Sequence, residues 1–142
     1  MRLILTPVVK AVVIIVIFFT FTQHLMAQDK DINCVKHFLK AAASDTLTTS
    51  GLSALITPDK KEKLDSILLV VNSLKKTMDD FFMELKYSDI EKAITEEPKI
   101  EDYRIFGIQV VADKKLTFAV RNGYIYSLIY ADLPDNSSYI CF

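Results

Sequence analysis

The sequence predicts an α+β fold: N-terminal helices, one of them long, packed on one face of an antiparallel meander of three to four strands. Three observations carry that prediction. Up to Glu96 apolar side chains recur at steps of three and four, the spacing of one helix face. Beyond Pro98 the step becomes two, the spacing of one strand face. Within that second half the dipeptide Asn122-Gly123 marks a tight hairpin, because a type I′ turn needs positive φ at both central positions.

Residues 1–27 precede the domain and differ from it in composition. Arg2 and Lys10 charge the start, residues 11–22 (AVVIIVIFFTFT) are apolar, and Gln23-His24-Leu25-Met26-Ala27 leads out to a small residue. That order describes a secretory signal peptide cleaved after Ala27, leaving residues 28–142 as a single mature domain. The rival reading is a retained anchor. A spanning helix needs about 20 apolar residues, and this run is shorter and ends at Gln23 and His24. No stable membrane insertion is therefore expected after cleavage. Cys34 follows Asp31-Ile32-Asn33, so no lipid-attachment signal is read there.

The chain has 142 residues, with 17 Lys and Arg against 18 Asp and Glu. Loss of Arg2 and Lys10 gives the mature domain a net charge of about −3, without the clustered cations that nucleic acid demands. Its length of about 115 residues suffices for one core and not for two.

Residues 29–44 read as the first helix, with Ile32, Val35, Leu39 and Ala42 as its apolar stripe and Lys36 and Lys40 on its wet side. Residues 45–56, rich in Ser and Thr around Gly51, read as a loop with one helical turn. Thr57-Pro58 then starts the longest helix, since Thr57 can cap and Pro58 has no N–H to leave unpaired. Leu64, Ile67, Val71, Leu74, Met78, Phe81 and Leu85 follow in alternating steps of three and four. Residues 58–86 would make one helix about 43 Å long. A coiled-coil seam shares this spacing, but the flanking positions lack ordered opposite charges, so a helix lying across the sheet is expected. Ser88-Asp89-Ile90-Glu91 matches a capping box and opens a short helix over residues 89–96, which Pro98 ends.

Strands are expected over residues 102–112, 116–121 and 124–131. A short fourth over 138–142 follows a break at Leu133-Pro134-Asp135-Asn136. The two-residue turn pairs Arg121 with Tyr124, Val120 with Ile125, and so on to Leu116 with Ile129. Leu116, Phe118, Val120, Ile125 and Ile129 then face the helices, while Thr117, Ala119, Arg121, Tyr124, Tyr126, Leu128 and Tyr130 face away. A three-residue connection over 113–115 would put Phe106, Ile108 and Val110 on the core face. A slip of one residue would reverse all of these assignments.

Residues that could carry chemistry are few. His37 is the one histidine of the mature domain, and without a partner motif it reads as a packing or surface residue. Gly51, Gly107 and Gly123 are too few for a phosphate-cradling loop. Asp79-Asp80, Glu96-Glu97 and Glu101-Asp102 fit no calcium loop, and a solvated face accounts for them. No catalytic, cofactor-binding or metal-binding residue is expected, and the chain is not read as an enzyme. In an oxidising compartment Cys34 and Cys141 would form a disulfide closing a loop of about 107 residues. Two buried free thiols are the alternative. Asn136-Ser137-Ser138 matches a glycosylation acceptor, which matters only in a eukaryotic secretory route.

One surface feature stands out: Arg121, Tyr124, Tyr126 and Tyr130 share a strand face, and Tyr103 can join them. Tyr and Arg are enriched at protein-interface hot spots, although Tyr also favours half-exposed strands for its own sake. The expectation is a small exported protein, periplasmic or extracellular, that binds or inhibits another envelope or extracellular protein, as an immunity-type protein does. The alternative is a non-catalytic small-ligand carrier with a pocket between the long helix and the sheet. Only Ser127 would supply that pocket with a polar group. In element order alone the chain resembles, in outline, the cystatin-like and nuclear-transport-factor-like folds.

Overall fold

The computed structural model describes residues 6–133, 135 and 137–142, without the side chains of residues 22–29. The first helix, α1 (Pro7–Ala43), runs unbroken from the apolar segment into the domain. Its two halves are unlike. Val9, at 44%, is the least exposed large apolar residue between Val8 and Phe21, whereas Cys34, Val35, Phe38, Leu39 and Ala42 are all buried. The domain takes hold of the helix at Asp31, which is itself buried. Among the described residues no helix is long and apolar enough to cross a membrane. The side chains flanking the Ala27-Gln28 junction, and Asn136 of the glycosylation triplet, lie outside the described residues.

The helical turn expected within residues 45–56 is a longer helix, α2 (Thr49–Leu55), capped by the Thr48 hydroxyl, which accepts from the Gly51 N–H at 3.1 Å. The single long helix expected over 58–86 is three elements: a 3₁₀ turn over Pro58–Lys63, α3 (Leu64–Thr77) and α4 (Asp79–Tyr87). The break falls at Met78, with φ −113° and ψ 40°. Asp79 and Asp80 follow it, and carboxylates suit a new helix N-terminus. Asp80 Oδ1 accepts from the Phe81 N–H at 2.9 Å. The break costs the apolar stripe nothing, because Leu64, Ile67, Val71, Leu74, Met78, Phe81 and Leu85 are all buried.

The sheet holds five strands instead of three to four: β1 (Ile94–Ile100), β2 (Tyr103–Val111), β3 (Lys114–Arg121), β4 (Tyr124–Asp132) and β5 (Ser137–Ile140), antiparallel and in chain order. The addition is β1. A one-turn helix, α5 (Ile90–Ala93), is capped by Asp89, not Ser88, and gives way to strand at Ile94. Pro98 sits in this edge strand where the register slips between Glu97 and Ile100. Edges and irregular positions are where a strand tolerates a residue with no N–H.

Asn122 (φ 54°) and Gly123 (φ 79°) make the expected turn, and Arg121 pairs with Tyr124 and Val120 with Ile125. Beyond that point the expected register is wrong by one. Tyr126 is an extra residue, so Ala119 pairs with Ser127, Phe118 with Leu128 and Leu116 with Tyr130. Such a bulge turns every later side chain of β4 to the opposite face. Leu128 and Tyr130 therefore join the core, and Ile129 does not. The cause lies at the outer edge of β4. The Thr57 N–H donates to the Ile125 carbonyl at 3.1 Å, and Lys60 Nζ donates to the Tyr126 carbonyl at 2.6 Å. A second irregularity, between Ile108 and Val111, adjoins a two-residue turn. Together they keep Phe106 and Ile108 in the core, as a three-residue connection would have done.

Helices and sheet enclose one core, in which Phe38, Phe81, Phe106 and Phe118 are fully buried. Phe38 of α1 meets Phe118 of β3 edge to face, with ring centroids 5.4 Å apart.

Candidate functional site

The sheet face turned away from the core carries Tyr103, Ile105 and Gly107 of β2 and Thr117, Ala119 and Arg121 of β3, by strand alternation and pairing. At one end the bulge brings Tyr126 beside Tyr103, with ring centroids 5.1 Å apart in an edge-on arrangement. The Arg121 guanidinium lies 4.9 Å from both ring centroids. Its Nη2 donates to the Tyr126 hydroxyl at 3.4 Å, and its Nη1 stands 3.9 Å from Asp102 Oδ2. This guanidinium holds the Tyr126 phenol below the usual tyrosine range. The Arg121 side chain is still 37% exposed. The result is a surface of two rings and one cation in mutual contact.

Further along the same face a Glu97–Lys115 ion pair passes over Gly107. A β-carbon at Gly107 would fall 2.5 Å from Glu97 Oε1 and 2.8 Å from Lys115 Cε, so the absence of a side chain is what admits the pair.

The four residues expected to share a face are dispersed. Arg121 and Tyr126 come together. Tyr124 lines a groove with Lys30, Asn33, Cys34 and His37 of α1. Tyr130 is 8% exposed on the core side, where it stacks on Tyr139 at 6.0 Å. Period-two alternation points to Tyr103 as a member of the cluster; it gives no sign of a bulge, which is set by contacts with residues 57–60.

The expected Cys34–Cys141 disulfide is not formed, and both thiols are free. Cys34 lies in the groove beside Asn122, Gly123 and Tyr124, and its thiol donates to the Asp31 carbonyl at 3.1 Å. The Cys141 N–H donates to the Leu128 carbonyl at 2.7 Å. From Tyr124 to Leu128 a strand advances about 13 Å, whereas a disulfide needs Cα atoms within about 7 Å.

The acidic pairs are engaged in ion pairs or separated. Asp80 pairs with Lys114, Glu97 with Lys115, and Glu96 with Arg104 at 2.8 Å. His37 is exposed on α1. Among the described residues no group of three His, Cys, Asp or Glu lies where it could hold a metal ion. Comparison with protein-family models, curated proteins and solved structures gives no match to this chain.

Proposed function

We propose that this chain is a small exported protein, periplasmic or extracellular, that binds another envelope or extracellular protein through the cluster of Tyr103, Arg121 and Tyr126. The observation that carries the reading is the cluster itself, in mutual contact and partly exposed on a sheet face turned away from the core. Such a surface offers a partner large contact area at small entropic cost, and suits an apolar side chain set beside a carboxylate. The filled interior weighs against a ligand pocket between the sheet and the 58–86 segment, since Phe81 of α4 and Phe106 and Phe118 of the sheet are fully buried.

Export is supported by the contrast within α1. Its first half leaves apolar side chains in water, an arrangement that removal or a membrane relieves. As it stands, α1 has no acidic residue in its first turn. A helix beginning at Gln28 would have Asp29 and Asp31 there, where the helix dipole favours carboxylates.

The test is retention of envelope or medium proteins on the wild-type chain and on the Arg121→Ala/Tyr126→Ala double variant, followed by affinity measurement with the protein retained. Loss of this hot spot should weaken binding by about 2 kcal/mol, roughly 30-fold. A partner that binds both forms equally would show the cluster to be a wet sheet surface.

A further inference from the structure

A second surface runs along α1. Lys30, Asn33, His37 and Lys40 recur at steps of three and four, and all four are exposed. They line two adjoining grooves, of about 410 and 700 Å³, that share Asn33 and His37. Asn122 and Tyr124 of the β3–β4 hairpin stand at one end, Ser44 and Thr46 at the other. The grooves' lining contains three ammonium groups, on Lys30, Lys36 and Lys40, and one carboxylate, on Glu91. Glu91 is bonded to Lys36 at 2.9 Å, which leaves Lys30 and Lys40 with no acid in the lining. The chain as a whole is net −1, so this local excess runs against the overall sign.

We propose that this stripe is a docking groove for an extended acidic segment of a partner protein. Ten helical residues separate Lys30 from Lys40, about 15 Å at 1.5 Å each. An extended peptide covers that span in about five residues at 3.3 Å each. The Asn33 and Asn122 amides can both donate to and accept from a peptide backbone. Tyr124 and the exposed Ala54 give its side chains an apolar wall. Amides and an apolar wall suit a peptide; a sulfated or carboxylated polysaccharide would be better served by a denser row of cations. The site is separate from the aromatic cluster and does not depend on it.

The test is binding of fluorescein-labelled hexaglutamate to the full-length chain, followed by anisotropy at low and raised salt. Saturable binding that weakens with salt is expected, and Lys30→Glu/Lys40→Glu should weaken it by roughly tenfold. Lys61→Glu/Lys63→Glu, on the exposed 3₁₀ turn, and Tyr126→Ala should leave it near the wild-type value. If the double reversal unfolds the chain, Lys30→Ala and Lys40→Ala made singly give the same reading. The proposal is overturned if hexaglutamate does not bind. An equal loss in the Lys61/Lys63 variant would also overturn it, by showing general charge attraction. Tighter binding of dextran sulfate through the same two lysines would assign the groove to acidic polysaccharide instead.

Discussion

Cys34 sits on the buried side of α1, and burial pushes its thiol up to about 12. Cys141 is raised for the same reason. Because the thiolate is the reactive form, both should resist oxidation and modification in the folded state. Denaturation without reductant should expose two titratable thiols; finding none would restore the disulfide. A pH effect follows, with its sign set by the folded value lying above the unfolded one. Below pH 9 both states keep the Cys34 proton. Between pH 9 and 12 the unfolded chain loses it first, so stability falls as pH rises. In Cys34→Ala this alkaline decline should be shallower, as read from urea unfolding on either side of pH 9. The pairing of the two cysteines was not legible in the sequence. Export and an even count favour a bond, but their separation depends on which stretch of β4 each one meets.

At the scale of elements, Asp31 ties α1 to the β3–β4 hairpin. Its Oδ1 accepts from the Gly123 N–H at 2.6 Å and its Oδ2 from Arg104 at 3.4 Å, across 92 and 73 residues of sequence. Asp31→Ala would leave the turn N–H and the guanidinium without this partner, and should cost about 2–3 kcal/mol. Asp31→Asn keeps an acceptor for Gly123 and should cost less. Urea denaturation measures both, and a loss below about half a kcal/mol for the alanine variant would mean the tie contributes little. Helices, strands and the Asn122-Gly123 turn were legible because each rests on local spacing. The break at Met78, strand β1 and the Tyr126 bulge were not. The first restarts a helix without interrupting its apolar period, the second runs through a proline, and the third is imposed from the edge by Thr57 and Lys60. The candidate site changed at that bulge at one residue, since it kept Tyr126 beside Arg121 and sent Tyr130 inward.

At the scale of the whole molecule, the chain divides within one helix. Up to Phe21 the large apolar side chains of α1 are exposed, and from Asp31 onward the helix is part of the core. In the function proposed above, the first part is a leader and the second the start of an exported binding domain. The most direct test is intact-mass measurement of the protein recovered from the cell envelope and medium. A water-soluble species beginning at Gln28, with residues 1–27 removed, is expected; a species that keeps those residues and stays in the membrane fraction would show the first part to be an anchor instead.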